Sequence, residues 1–200
     1  MKKLILTFII CFVCGCASFR EGNVGEIQHF PEAKKKHSIY INVSFFHTNE
    51  TFFANLYREE YEKNMKSVNI DIEKKIRTRF EESNLFLITS NKINTEYLLD
   101  IKYETYYDMS MGMYLLNAIT FDIFPWFGKS PVVINMNLTK KSTLKQTSLV
   151  VNDTLTTWFT LILLPVTPFK FPDVESEKMQ NDLIDNLILQ TYEKIQSDFD

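Results

Sequence analysis

All three cysteines of this chain, Cys11, Cys14 and Cys16, fall within its first 16 residues. Whatever folds beyond them has neither a disulfide nor a thiolate metal site, so a hydrophobic core must hold it. At 200 residues, 45% hydrophobic and 24% charged, the chain suits one domain with a sizeable core. Those proportions argue against a wholly disordered chain and against a polytopic membrane protein. A formal net charge of −3 offers no basic field to nucleic acid. Five Gly leave few positions for loops that cradle phosphate.

The cysteines close a tripartite leader. Lys2 and Lys3 supply a charged start, and Leu4 to Val13 is an uncharged apolar run. A bilayer span needs ~20 apolar residues, so this shorter run reads as a cleaved signal over residues 1–15 and not as an anchor helix.

The end of the leader, Val13-Cys14-Gly15-Cys16, resembles the lipobox of bacterial lipoproteins, with Cys14 standing where Ser or Ala is usual. The resemblance covers about 20 residues. It implies that the Cys16 thiol receives a diacylglycerol, that the signal is cut before Cys16, and that the new amino group takes a further acyl chain such as palmitate. It also implies outer-membrane sorting, because Ala17 stands where many such bacteria use Asp to retain lipoproteins at the inner membrane. Several acyl chains anchor firmly where one is marginal. The alternative is an ordinary secreted protein cut near Ala17. Cleavage before Cys16 leaves 20 basic and 25 acidic side chains, a net charge of −5.

Residues 16–37 read as a flexible tether with Gly22, Gly25, Pro31 and the run Lys34-Lys35-Lys36. A coil of that length reaches ~25 Å. A single domain then covers residues 38–200. Ser38 to Phe46 reads as a strand. Residues 47–66 are ambiguous. Val68, Ile72, Ile76 and Phe80 recur every four residues and predict an amphipathic helix to about Ser83. Leu85 to Thr89 is a short strand entering a polar turn, and Glu96 to Asp108 alternates as a strand wet on one side. Pro131 to Lys141 and Gln146 to Thr157 alternate around the turn Ser142 to Lys145. Leu183, Ile184, Leu187, Ile188, Thr191 and Ile195 set a second helix from about Val174 to Ser197, with Asp173 as its cap.

This order predicts an α+β fold, a mostly antiparallel sheet of five strands with two amphipathic helices on one face. It resembles the small α/β domains of envelope lipoproteins of the curli-secretion and penicillin-binding-protein-activator types. That likeness covers element order from about residue 38 to 197, and it carries no motif and no functional residue.

Two apolar stretches stand apart. Residues 109–127 hold one charge, Asp122, and residues 154–169 hold none. They contain both Trp of the chain, Trp126 and Trp158, together with Tyr114, Phe127 and Phe159. Alternating strand directions put both stretches at one end of the domain. If the first strand parallels the strand at Leu85, which is expected to run down into a hairpin, the tether arrives at that same end. Three readings stay open for Trp126, Phe127, Trp158, Phe159 and Tyr114: core, membrane interface, or contact with a protein partner.

Catalytic chemistry is not legible. No Gly-Ser-Gly elbow occurs, and His29, His37 and His47 lack metal-ligand spacing, which leaves them as lone surface histidines. Asp100, Glu104 and Asp108 share a strand face with Lys102 between them, as a plain polar face would. No metal, cofactor or nucleic-acid partner is indicated. The expectation is a non-enzymatic outer-membrane lipoprotein, tethered to lipid through Cys16, that serves an envelope protein partner as an adaptor or assembly component. The alternative is a carrier of lipid or another hydrophobic ligand.

Overall fold

The computed structural model describes residues 16–48, 58–106, 108–109, 111–120, 125–160, 163 and 169–198. The leader lies outside the described residues. Seven strands run in chain order: β1 (Cys16–Arg20), β2 (His37–Thr48), β3 (Phe86–Ile88), β4 (Tyr97–Tyr106), β5 (Asp108–Met109), β6 (Trp126–Lys140) and β7 (Gln146–Phe159). Three helices accompany them: α1 (Arg58–Glu82) after β2, α2 (Met111–Ile119) after β5, and α3 (Pro172–Asp198) at the end. The sheet order is β1-β7-β6-β4-β2-β3, with β5 paired to β6. Pairing is antiparallel except at β2–β3 and β2–β4. The fold is therefore α+β and mostly antiparallel, with more strands than the pattern suggested.

Alternation decides which face is buried. Ile39 and Ile41 of β2, Leu99, Ile101 and Tyr103 of β4, and Val132, Ile134, Met136 and Leu138 of β6 are all buried on one face. Against them pack Ile72, Ile76 and Phe80 of α1 and Met179, Leu183, Ile184, Leu187, Ile188, Tyr192 and Ile195 of α3. The four-residue stripes thus find the partner they require. Val68 is the exception, because it lies a turn above this contact and is exposed. On the other face hydrogen bonds join Asn42 to Asp100 and Ser148 to Asn137. α3 starts two residues earlier than expected. Phe171 supplies the carbonyl that accepts from Glu175 N–H at 3.0 Å, Pro172 opens the helix, and Asp173 lies inside its first turn and is not its cap.

The structure corrects two further expectations, both of topology. β3 does not turn back as a hairpin onto β4, because both strands flank β2 and run parallel to it. β3 spans three residues along β2, and the loop that follows crosses the base of β2. There Thr89 N–H donates to Ile39 O and Glu96 N–H to Ser38 O. β2 therefore begins at the end opposite the two apolar stretches.

The second correction concerns residues 16–37. They form strand β1 and then a strap along α3. Asn186 Nδ2 donates to Gly25 O at 2.7 Å, and Lys34 N–H donates to the Tyr192 hydroxyl at 3.3 Å. Val24, Phe30 and Ala33 pack on the core. These contacts are too widely spaced along the chain to leave a periodic signal.

Truncating a buried residue at the sheet–helix interface, as in Ile188→Ala, should destabilise the domain by about 2–5 kcal/mol in urea denaturation. The exposed Val150→Ala should change it by less than about 0.5 kcal/mol.

Candidate functional site

The site is the end of the sheet where β1 begins, β7 ends and β6 starts. Register defines it. Cys16 pairs with Phe159, and Phe159 pairs in turn with Trp126, so the three form one row across β1, β7 and β6. One step along, Ala17, Trp158 and Phe127 form the next row. Paired residues point to the same face, so the first row faces the helices and the second faces away from them. The rings stack across strands, Trp126 on Phe159 at 4.3 Å between centroids and Phe127 on Trp158 at 4.9 Å.

The five aromatics named from sequence differ in placement. Trp126 is 6% exposed and belongs to the core. Trp158 and Phe159 are half-buried, and Phe127 is exposed. Tyr114 lies on α2, and its side chain falls outside the described residues. The exposed apolar surface is carried instead by residues that periodicity did not single out. Leu115, Leu116 and Ile119 of α2 are exposed, Ile119 by 74%. Phe169 (80% exposed) and Phe171 flank Lys170, whose carbonyl accepts from Ser18 N–H at 2.9 Å beside β1. α2 reaches this end because the β5 residues Asp108 and Met109, just ahead of it, pair with Lys129 and Gly128.

Cys16 is fixed by what lies four residues further along. Arg20, largely buried, reaches between Asp153 of β7 and Asp182 of α3. Its Nη2 donates to Asp153 Oδ2 at 2.8 Å, its Nη1 to Asp182 Oδ2, and its Nη2 also to Val24 O at 3.3 Å. The other Asp153 oxygen accepts from the backbone N–H of Gly22, Asn23 and Thr154 at 3.2, 3.4 and 2.8 Å. Gly22 supplies the left-handed φ of +75° that turns the chain there. Burial alone would lower the Arg20 pKa, but its hydrogen bonds to Asp182 and Asp153 outweigh that and raise it above the ordinary value. Nearer Cys16, the Ser18 hydroxyl lies 2.6 Å from the Thr157 hydroxyl.

The acidic strand face looks structural. Glu104 receives Lys102 at 2.8 Å, the Tyr106 hydroxyl at 2.5 Å and Asn135 at 2.9 Å. The hydrogen bonds from Lys102 and Tyr106 hold its carboxyl below the usual range, the opposite of what a general acid needs. Asp100 accepts from Asn42, and the side chain of Asp108 lies outside the described residues. Two of the three histidines are not surface groups on their own. His37 is buried edge-on to Tyr97 with its Nδ1 2.6 Å from Glu96, while His47 joins Thr105 and Asn69 at 2.5 Å each. His29 is exposed. Among the described residues no His, Cys, Asp and Glu cluster could hold a metal ion, and no helix is long and apolar enough to cross a membrane.

No family model matches the sequence, and no curated protein matches it. Solved structures do resemble it. One is a protein from Helicobacter pylori described as a neuraminyllactose-binding hemagglutinin homolog, 11% identical, covering 88% of this chain and 97% of that one at a TM-score of 0.45. Another is a DUF330 protein from Xanthomonas campestris, 10% identical, covering 86% and 95% at 0.44. A third is a minor lipoprotein from Acinetobacter baumannii, 9% identical, covering 82% and 92% at 0.36.

Arg20→Met should cost about 3–5 kcal/mol in urea denaturation, because it leaves Asp153 and Asp182 buried without their cation. Arg20→Lys should recover only part of that loss, since an ammonium cannot match the guanidinium fork. A change below about 1 kcal/mol for Arg20→Met would show that β1 is held by something else.

Proposed function

We propose that this chain is a lipoprotein of the bacterial envelope, anchored in the outer membrane by a diacylglycerol on Cys16. In this reading its α+β domain acts without catalysis, as an adaptor or assembly component for another envelope protein. The observation that carries it is a coincidence of position. The cysteine that ends the lipobox-like leader is also the first residue of β1, and it stands in register with Phe159 and Trp126 at the apolar end of the sheet.

The polar side chains of the described domain support the non-catalytic part. Arg20, Asp153, Asp182, Glu104 and His47 are each engaged in contacts that tie elements together. Two clefts among the described residues mix charged and apolar lining. One of about 450 Å³ is lined by Lys35, His37, Glu96, Tyr97, Lys140 and Lys141, and one of about 310 Å³ by Phe19, Arg20, Val24, Lys170, Glu175 and Lys178.

Cys16→Ser in the full precursor should abolish incorporation of labelled fatty acid and leave the protein uncleaved and heavier by the signal. Label retained by Cys16→Ser would refute anchoring at this residue. For the domain, cross-linking in intact envelopes should capture a discrete protein partner. A lipid held non-covalently through native mass spectrometry would favour the carrier instead.

A further inference from the structure

We infer that the Cys16 end of the domain is a seating surface for a phospholipid bilayer, with Leu115, Leu116, Ile119, Phe127 and Phe169 resting in the headgroup–acyl boundary. The inference rests on acylation of Cys16 and goes beyond it, because a lipid anchor alone says nothing about which way a domain faces.

Slack is the first consideration. An anchored domain on a coil of twenty residues samples every orientation. Here no coil intervenes, because Cys16 is already paired in the sheet and Arg20 fastens its strand to β7 and α3. Acyl chains leaving Cys16 therefore leave from the sheet itself, beside Phe159. The bilayer must lie against whatever surrounds that point.

What surrounds it is suited to lipid. α2 spans nine residues without a charge and exposes three large aliphatic side chains. Phe127 and Phe169 add exposed rings, and half-buried Trp158 stacks behind Phe127. Trp favours the membrane interface, and exposed Leu and Phe side chains bury in the headgroup–acyl boundary. Among the described residues charge stands at the rim. Lys129, two residues below Phe127, pairs with Glu21 at 3.2 Å, and Lys170 pairs with Glu175 at 3.3 Å. That arrangement of apolar centre and polar rim at an acylated residue fits a lipid surface. A protein partner on this patch would have to displace the bilayer that the acyl chains of Cys16 bring against it.

Both Trp of the chain sit at this end, and half-buried Trp158, stacked on Phe127, is the one that reports on it, since Trp126 is core. The test uses the mature lipidated protein reconstituted on vesicles of phosphatidylethanolamine and phosphatidylglycerol with brominated acyl chains, which quench Trp at contact. Wild type should float with the vesicles and lose Trp emission relative to vesicles without bromine. The double variant Leu115→Glu with Ile119→Glu changes two exposed positions and should keep its far-UV circular dichroism. It should still float but regain its emission. Wild type that floats without quenching would overturn the seating surface and leave the anchor standing. Quenching that persists in the double variant would overturn it as well. Wild type that fails to float would refute the anchor itself and this inference with it.

Discussion

The guanidinium of Arg20 is the constraint on which the arrangement depends. Strand β1 is a five-residue edge strand, and beyond its ladder to β7 its backbone gains a bond from Ser18 N–H to Lys170 O. Arg20 adds what the ladder lacks. One carboxylate it meets, on Asp153, is itself held by three backbone N–H groups of the turn after β1 and of β7, and the other, on Asp182, projects from α3. A buried pair of this kind is weak evidence of net stability, but it is intolerant of a missing partner. Its effect here is registry. It fixes where β1 lies along β7, and therefore where Cys16 lies in space.

From that registry the rest follows in order. With β1 against the end of β7, the chain turns at Gly22 and is led along α3, where Asn186 and Tyr192 hold it until it enters β2 at the far end of the sheet. The strap thereby covers a flank of α3. The open ends of β6 and β7 are left beside Cys16, and the apolar residues of α2 gather there. Cys16 and the exposed apolar side chains thus share one end because of the path of residues 16–37.

Much of the fold was legible in the sequence because it is written in periods. The α3 stripe from Leu183 to Ile195 and the alternation from Leu99 to Tyr103 depend on nearest repeats, and both are buried as the spacing requires. What escaped depends on pairs distant in sequence. Arg20 and Asp182 lie 162 residues apart, and nothing around either announces the other. β1 was hidden because Gly and Lys residues after it dominate the composition of that segment. β3 was identified but misdirected, since three residues show that a strand exists without showing which neighbour it takes. At the candidate site the sequence singled out Trp126, which is core, and passed over Leu115, Ile119 and Phe169, which are exposed. Trp is conspicuous by rarity, whereas exposure at Leu115, Ile119 and Phe169 is settled only by tertiary packing.

No slack separates Cys16, the proposed point of acylation, from the folded sheet. Amide hydrogen exchange of residues 17–20 in the mature lipidated protein tests it most directly. Protection comparable to that of their partners in β7, residues 155–158, is the result this account predicts. Exchange at the rate of an unstructured peptide in 17–20, with β7 still protected, would show a loose tether and contradict it.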